Sequence, residues 1–328
     1  MSLKECKSLF IVAAKRTAFE SYGGSLKDYS ITDHAALEAA NVKPDSVDHI
    51  IFSNVIQSAK DAIYLALHVG LRLGIPESVP ALIVNRLCGS GFQAIINAIL
   101  INGASVVLAG GTENMSQAPF AVFRNIRFGS KLGTQYDLTK KLGAMYNITP
   151  EQADNFALRS QTLWKKGYLI TFTLMKFFQI NEHPRLTTAE AQLLKGIADG
   201  VAALVIAKYD PKIFYINPLV WVAAWYTVDV DPSIMGFGPV PVIHVKVKLE
   251  IRVNEAFVPQ VLAVQGELKI PEEKLNFNGG AVALSYALAA SGARTLHPFN
   301  LRNEVIKYGI GSACIGGGQG VTILLETP

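Results

Sequence analysis

Apolar positions along this chain fall into two alternating kinds of run. Leu9–Ala14, Ala81–Val84, Ser105–Ala109 and Val201–Ile206 are short and continuously apolar, and they read as buried strands. Asp61–Leu73 and Gln93–Ile101 instead read as helices. The alternation predicts an α/β domain. The strand at Ser105–Ala109 reads as ending in a glycine-rich exit, Gly110–Met115. From Ala118 to Lys195 the pattern degrades, and only Glu151–Lys166 is a clear helix, so this stretch reads as an inserted, irregular region. The alternation in Val245–Val253 predicts a strand with one charged face. Two weak internal echoes, Leu87–Ala94 with Asn278–Leu284 and Asp199–Ile206 with Gly318–Leu325, predict two similar halves about a pseudo-twofold axis, with chance similarity of small-residue segments as the alternative.

Composition narrows the class. Of 328 residues 50% are hydrophobic and 17% charged, which fits a well-packed core rather than a disordered chain. The net charge of +4 is dispersed, without the Lys/Arg block of a nucleic-acid surface, and it suits an anionic substrate. Cys6, Cys88 and Cys314 are too few and too scattered for a disulfide framework or a zinc site, and they fit a reducing compartment. Tyr168–Ile180 is too short to span a membrane, and Phe214–Val230 is interrupted by Asn217 and Pro218. Neither a secretory signal nor a peroxisomal tripeptide is expected.

Cys88 is the first candidate for chemistry. It lies where the strand Ala81–Val84 gives way to a helix, with Gly89 and Gly91 beside it. Free N–H groups at a helix start favour an anion, so a thiolate forms more readily there. A small buried core cysteine is the alternative. The second candidate is Gly311–Gly320, which holds Cys314 and then four glycines in five residues. Such a loop offers backbone N–H groups as an oxyanion hole, or is merely a tight turn before the last strand.

Together these segments are specific. Val12–Thr17, Asn85–Gly91, Gly110–Ser116, Asp231–Gly236, Asn254–Phe257, Asn276–Ala281 and Gly311–Gly320 make the chain resemble the thiolase family, and within it the mitochondrial 3-ketoacyl-CoA thiolases. The resemblance implies two βαβαβαββ halves in an α/β/α/β/α arrangement with an inserted loop domain. It places the first half at 1–117 and 196–208, a shortened loop domain at 118–195 and the second half at 209–328. It implies thiolytic cleavage of a 3-ketoacyl-CoA, or the reverse Claisen condensation, through an acyl-cysteine. Cys88 would be the nucleophile and Cys314 the acid and base. Gly316 would share an oxyanion hole with Cys88, and Asn254 would hold the water of a second. Arg185, Thr187, Met235 and Phe257 would meet the substrate. Coenzyme A enters as substrate, and no permanent cofactor or metal is implied. Homodimers or homotetramers are expected, formed through Asp61–Leu73 and the segment near Cys88, in the mitochondrial matrix or alternatively the cytoplasm.

The chain departs from the pattern in two ways. Where the family carries Gly-His-Pro, this chain reads Ser285-Tyr286-Ala287, so Tyr286 stands in place of the histidine that activates the nucleophile. A phenol is a poor base at neutral pH. His297-Pro298 imitates the lost dipeptide but lies eleven residues on, about 16 Å along a helix. His68 reads as a structural histidine. The chain is also short by several tens of residues, with gaps expected between Gly133 and Lys141, between Leu194 and Gly196 and between Pro241 and Asn254. Loss of a helix covering a sheet would uncover several hundred Å² at about 25 cal/mol per Å². Three readings stay open: a working thiolase, a thiolase-fold pseudoenzyme, and a defective gene product.

Overall fold

The computed structural model describes residues 4–5, 9–29, 42–59, 61–101, 103–118, 141–171, 198–208, 218–243, 249–296 and 307–327. Its strands are β1 Lys4–Glu5, β2 Leu9–Arg16, β3 Glu20–Ser21, β4 His49–Ser53, β5 Ala81–Val84, β6 Val106–Asn114, β7 Ala198–Lys208, β8 Val220–Asp229, β9 Leu249–Val253, β10 Tyr308–Ile315 and β11 Gln319–Glu326. The helices are α1 Leu65–Arg72, α2 Ser90–Leu100, α3 Pro150–Thr171, α4 Pro239–Val242, α5 Val258–Leu268, α6 Ala281–Leu284 and α7 Leu288–Leu296.

The strand order is β5-β4-β6-β7-β2-β8-β11-β10-β9, and apart from the outermost β5 it reads alike from either end. In the first half β4 runs parallel to β6, and β6, β7 and β2 then pair antiparallel. In the second, β9 runs parallel to β10, and β10, β11 and β8 follow antiparallel. The halves join where Phe10 faces Trp221 and Ile11 faces Val220. At the place of β5 the second half keeps one parallel bridge, between Ile251 and Leu275.

Three hydrophobic clusters fill the spaces between layers. One lies between α1 and the outer face of the first half-sheet, around Phe10, Phe52, Leu65 and Val69. The central one gathers Phe92, Ile95 and Ile96 of α2 with Ala290 and Ala293 of α7, against Ile51 and Leu204 on one side and Val321 and Ile323 on the other. The third packs Val261 and Val264 of α5 over Ile251 and Ile310. The expected five-layer arrangement is therefore present.

The central layer depends on two glycines. A methyl group on Gly91 would stand 2.6 Å from the Ala289 carbonyl oxygen, and one on Gly292 would stand 2.4 Å from the Phe92 nitrogen. So α2 and α7 cross backbone to backbone, glycine on glycine, at the pseudo-twofold axis. The crossing corrects one expected echo: Leu87-Cys88-Gly89-Ser90-Gly91 is matched by Leu288-Ala289-Ala290-Ser291-Gly292, not by Asn278–Leu284. Small-residue composition drew the eye to the wrong segment. The other echo holds after a shift of one residue. Glu113 faces Gly200 across β6 and β7 as Cys314 faces Gly320 across β10 and β11, so Gly200 corresponds to Gly320.

Three further expectations need correction. Strand β5 is an edge strand with Ala81 and Leu82 exposed, because its apolar run has a neighbour on one side only. Strand β6 does not end at Ala109 but runs through Gly110 and Gly111, where a side chain would strike the carbonyl oxygens of Ala202 and Ala289. In β9 the charged face is not solvated: Glu250 and Arg252 are buried, with the Arg252 guanidinium 4.5 Å from the centre of the Phe277 ring. Helix α4, at the expected gap after Pro241, is a single turn of four residues. The helix expected at Glu151–Lys166 is α3, longer at both ends.

Gly91→Ala is expected to destabilise the fold by about 1–3 kcal/mol, since the crossing leaves no room to repack. Gly266→Ala, in α5 with nothing within 4 Å of the new methyl, should be neutral or stabilising by up to about 1 kcal/mol. Urea titration of both variants checks the contrast.

Candidate active site

Cys88 lies in a single 3-10 turn, Leu87–Gly89, that runs directly into α2. The turn is tied down on all sides. Leu87 adopts φ +47, its N–H donates to Asn85 Oδ1 at 3.1 Å, and the Ser90 hydroxyl donates to the Leu87 carbonyl at 2.6 Å. The Arg86 guanidinium donates to Gln319 Oε1 at 2.9 Å, linking the turn to the second half. Cys314 is the last residue but one of β10 and is fully buried. Beyond it Gly317 and Gly318 adopt φ +84 and +88, which glycine enters without strain, and the chain reverses into β11. Asn254 follows β9 and is tied to β10 by its N–H, 2.9 Å from the Ser312 carbonyl oxygen. Tyr286 lies in the three-residue link between α6 and α7.

The structure brings these five positions together. Burial pushes the Cys88 thiol up, opposed by the Tyr286 hydroxyl, the Gly316 N–H and the thiol's own backbone N–H. Burial likewise holds Tyr286 far above the ordinary phenol range, and the nearby Cys88 and Cys314 sulfurs push it further, with Asn254 opposing. Cys314 is raised well beyond an ordinary thiol by burial and then by Cys88. The Tyr286 hydroxyl and both ends of the Asn254 amide face this centre without a hydrogen bond of good geometry to any described group. Buried polar groups without a partner call for one, and a water or a reacting group would supply it.

The internal symmetry shows what that space accepts. Ser53 pairs with Gly111, and Val253 pairs with Ser312 in the same parallel register, so Asn54 corresponds to Asn254 and Glu113 to Cys314. In the first half the hollow is filled by the Glu113 carboxylate. It accepts from Asn54 Nδ2 at 3.0 Å, Val55 N at 3.2 Å, Ile56 N at 2.9 Å and Ala289 N at 3.3 Å. Ala289 is the counterpart of Cys88. Burial raises the Glu113 carboxyl to about 7 in spite of these bonds. In the second half the carboxylate is replaced by the shorter thiol of Cys314. The helix start and the asparagine remain, and the shorter thiol brings no carboxylate oxygens to the corresponding place.

Backbone geometry bears on the register at Tyr286. Ser285 has φ +83 and ψ 164, a region that is essentially glycine-only, and a serine there carries about 1–3 kcal/mol of strain. A glycine before the histidine, as in the family pattern, would sit there freely.

Of the other expected residues, Met235 is buried in a 3-10 segment, Pro232–Phe237, that packs on α5, and Phe257 caps the start of α5. Arg185, Thr187, Cys6 and His297 lie outside the described residues. His68 is accounted for by Asp61, with Nδ1 3.1 Å from the carboxylate, and His49 lies beside Asp48 at the start of β4. Among the described residues no three His, Cys, Asp or Glu side chains gather as a metal ion would need. No described helix is long and apolar enough to cross a membrane. Sequence reasoning missed Asn54, Glu113 and Glu255. The signal was present, since Glu113 follows its glycine pair by the spacing at which Cys314 follows Ser312.

The model of the thiolase N-terminal domain matches residues 9–169, and that of the thiolase C-terminal domain matches 216–327. The chain is 42% identical to human mitochondrial 3-ketoacyl-CoA thiolase over 98% of both chains. It is 32% identical to a probable acetyl-CoA acyltransferase of Staphylococcus aureus over 96% of this chain and 98% of that one. The human enzyme solved in complex with CoA superimposes with a TM-score of 0.89 at 41% identity, covering 98% of each chain. Bacillus anthracis acetyl-CoA acetyltransferase gives 0.85 at 28% identity, covering 99% of this chain and all of that one. The match to the human protein runs over 392 positions against a chain of 328, so at least 64 (392 less 328) have no counterpart here. Sequence and architecture agree from one half to the other, and the chain belongs to the thiolase family.

Proposed function

We propose that this chain transfers acyl groups between coenzyme A thioesters through an acyl-Cys88 intermediate, cleaving a 3-ketoacyl-CoA to acetyl-CoA and a shortened acyl-CoA. The observation that carries this reading is the convergence of Cys88, Cys314, Gly316, Asn254 and Tyr286 at one buried place. By the internal symmetry the place corresponds to that of the Glu113 carboxylate in the other half, with Cys314 at the equivalent position here.

The Cys88 thiolate adds to the keto carbonyl, and the developing oxyanion takes the N–H groups of Cys88 and Gly316. Fixed donors of this kind typically contribute a few kcal/mol each. The carbon–carbon bond breaks, and the Cys314 thiol protonates the departing carbanion, giving acetyl-CoA. In the return step the Cys314 thiolate takes the proton of an incoming CoA thiol, which attacks the acyl-Cys88 thioester and frees Cys88. A buried Cys314 with a raised pKa is a strong base once ionised, as proton transfer at carbon requires. The open amide of Asn254 suits a water that stabilises the oxyanion at the leaving thioester.

Tyr286 sets the rate. In the family pattern a histidine activates the nucleophile from this position, whereas a phenol whose pKa is raised well above normal offers no base at neutral pH. Loss of general-base help typically costs about 10²- to 10⁴-fold. This favours a slow enzyme, and in the limit an acyl-CoA-binding member of the family without turnover. The mitochondrial relatives support a place in the mitochondrion.

A second copy of the chain suits the edge of β5. Leu82 is exposed there, and Ile63, Tyr64, Leu67 and Leu71 are exposed on and just before α1, which packs against β5. An apolar edge strand left bare invites pairing with another chain. We propose a homodimer through this face, from which a tetramer could be built.

Thiolysis of acetoacetyl-CoA by Tyr286→His at pH 7 is expected to exceed that of the parent by about 10²-fold or more; equal rates would remove Tyr286 from the explanation. In the parent, acylation of Cys88 should keep rising above pH 9, because burial raises its thiol and the thiolate is the reactive form. The histidine variant should level off at lower pH. Acylated-peptide mass spectrometry across pH 6–10 reads both. Leu82→Lys should shift the sedimentation coefficient from dimer to monomer.

A further inference from the structure

Two buried glutamates that no catalytic step uses bracket the segment carrying Tyr286. Glu255, buried after β9, accepts from the Val282 N–H at 2.8 Å, the Ser160 hydroxyl at 3.0 Å and Asn276 Nδ2 at 2.8 Å. Its carboxylate lies flat on Gly280, where an added methyl would stand 2.3 Å from the carboxyl carbon. Glu113, from the other half, accepts from the Ala289 N–H. Tyr286 is four residues after Val282 and three before Ala289. Between the two anchor points lie only the single-turn α6, the strained Ser285 and the start of α7. A serine persists in a glycine-only conformation only when its surroundings leave no alternative, and the two anchored N–H groups fix both ends of this short span.

We infer that Glu113 and Glu255 are positioning residues, one from each half, that together hold the Ser285–Ala287 link and so place the side chain at position 286 over Cys88. The inference rests on the proposed site at Cys88 but not on turnover. It also explains why these carboxylates are kept where burial opposes their ionisation: replacing either by an apolar side chain would leave three or four N–H and O–H donors unsatisfied.

The test reads Cys88 directly. Full-length protein is alkylated with iodoacetamide at pH 8, and the Cys88 peptide is followed by mass spectrometry in the parent, Glu113→Gln, Glu255→Gln, Tyr286→Phe and the double variants. The Tyr286 hydroxyl beside Cys88 favours the thiolate, so Tyr286→Phe is expected to slow alkylation by about 3- to 10-fold. Each glutamine variant should slow it by a similar factor with Tyr286 present and have no added effect when combined with Tyr286→Phe. Equal slowing in both backgrounds would show a merely structural role and overturn the inference. So would no slowing by either glutamine variant while Tyr286→Phe remains slow, and then the proposed site stands. No effect of Tyr286→Phe itself would overturn the inference together with that site's geometry. Should a glutamine variant not fold, native-state hydrogen exchange of the parent decides. The Val282 and Ala289 amides should be protected to the level of β6 and β10, and exchange at loop rates would overturn the inference.

Discussion

The crossing of α2 and α7 at Gly91 and Gly292 is the contact on which the rest depends. With side chains at these two positions the helices would stand apart by the width of a methyl group on each, and the half-sheets packed on either side of them would follow. Cys88 sits three residues before one glycine, and Ala289 sits three before the other. The close approach therefore sets the distance between the start of α2 and the link that holds Tyr286. Backbone contact rather than side-chain packing fixes this distance, so it has little freedom to adapt to substitution elsewhere.

Around the crossing the halves are alike in framework and unlike in chemistry. The first half closes its helix start with its own carboxylate, and the second leaves the equivalent place open. A change from glutamate to cysteine shortens the side chain and removes two oxygens, which turns a saturated hydrogen-bond network into a binding site without altering the strand beneath it. The two asparagines differ at Nδ2: that of Asn54 donates to the Thr112 carbonyl and to Glu113, while that of Asn254 has no partner among the described residues.

Much of this was legible in the chain itself. The strands and helices follow from apolar periodicity, and Cys88 and Cys314 were marked by their glycines. The misreadings share a cause. Ala81–Val84 looked buried because its run is wholly apolar, yet an edge strand with one bare side looks the same. The charges at Glu250 and Arg252 looked solvated because alternation reports two faces and not which of them is covered. Glu113 escaped notice because its role depends on an N–H from a residue 176 positions away, Ala289. Pairing at that distance leaves no periodic signal. The internal repeat carries it only once the correct segments are superimposed.

Ser285 carries a different kind of information. Side chains report present chemistry, and by that measure position 286 offers a phenol and not a base. The backbone at 285 still adopts the shape that a glycine allows, at an energetic cost and with no histidine to present. The scaffold thus presents position 286 on a backbone shaped as for a glycine, whatever side chain that position carries. Chemistry in such a chain can be lost by one side chain while the architecture that served it stays intact, and the two need not decay together.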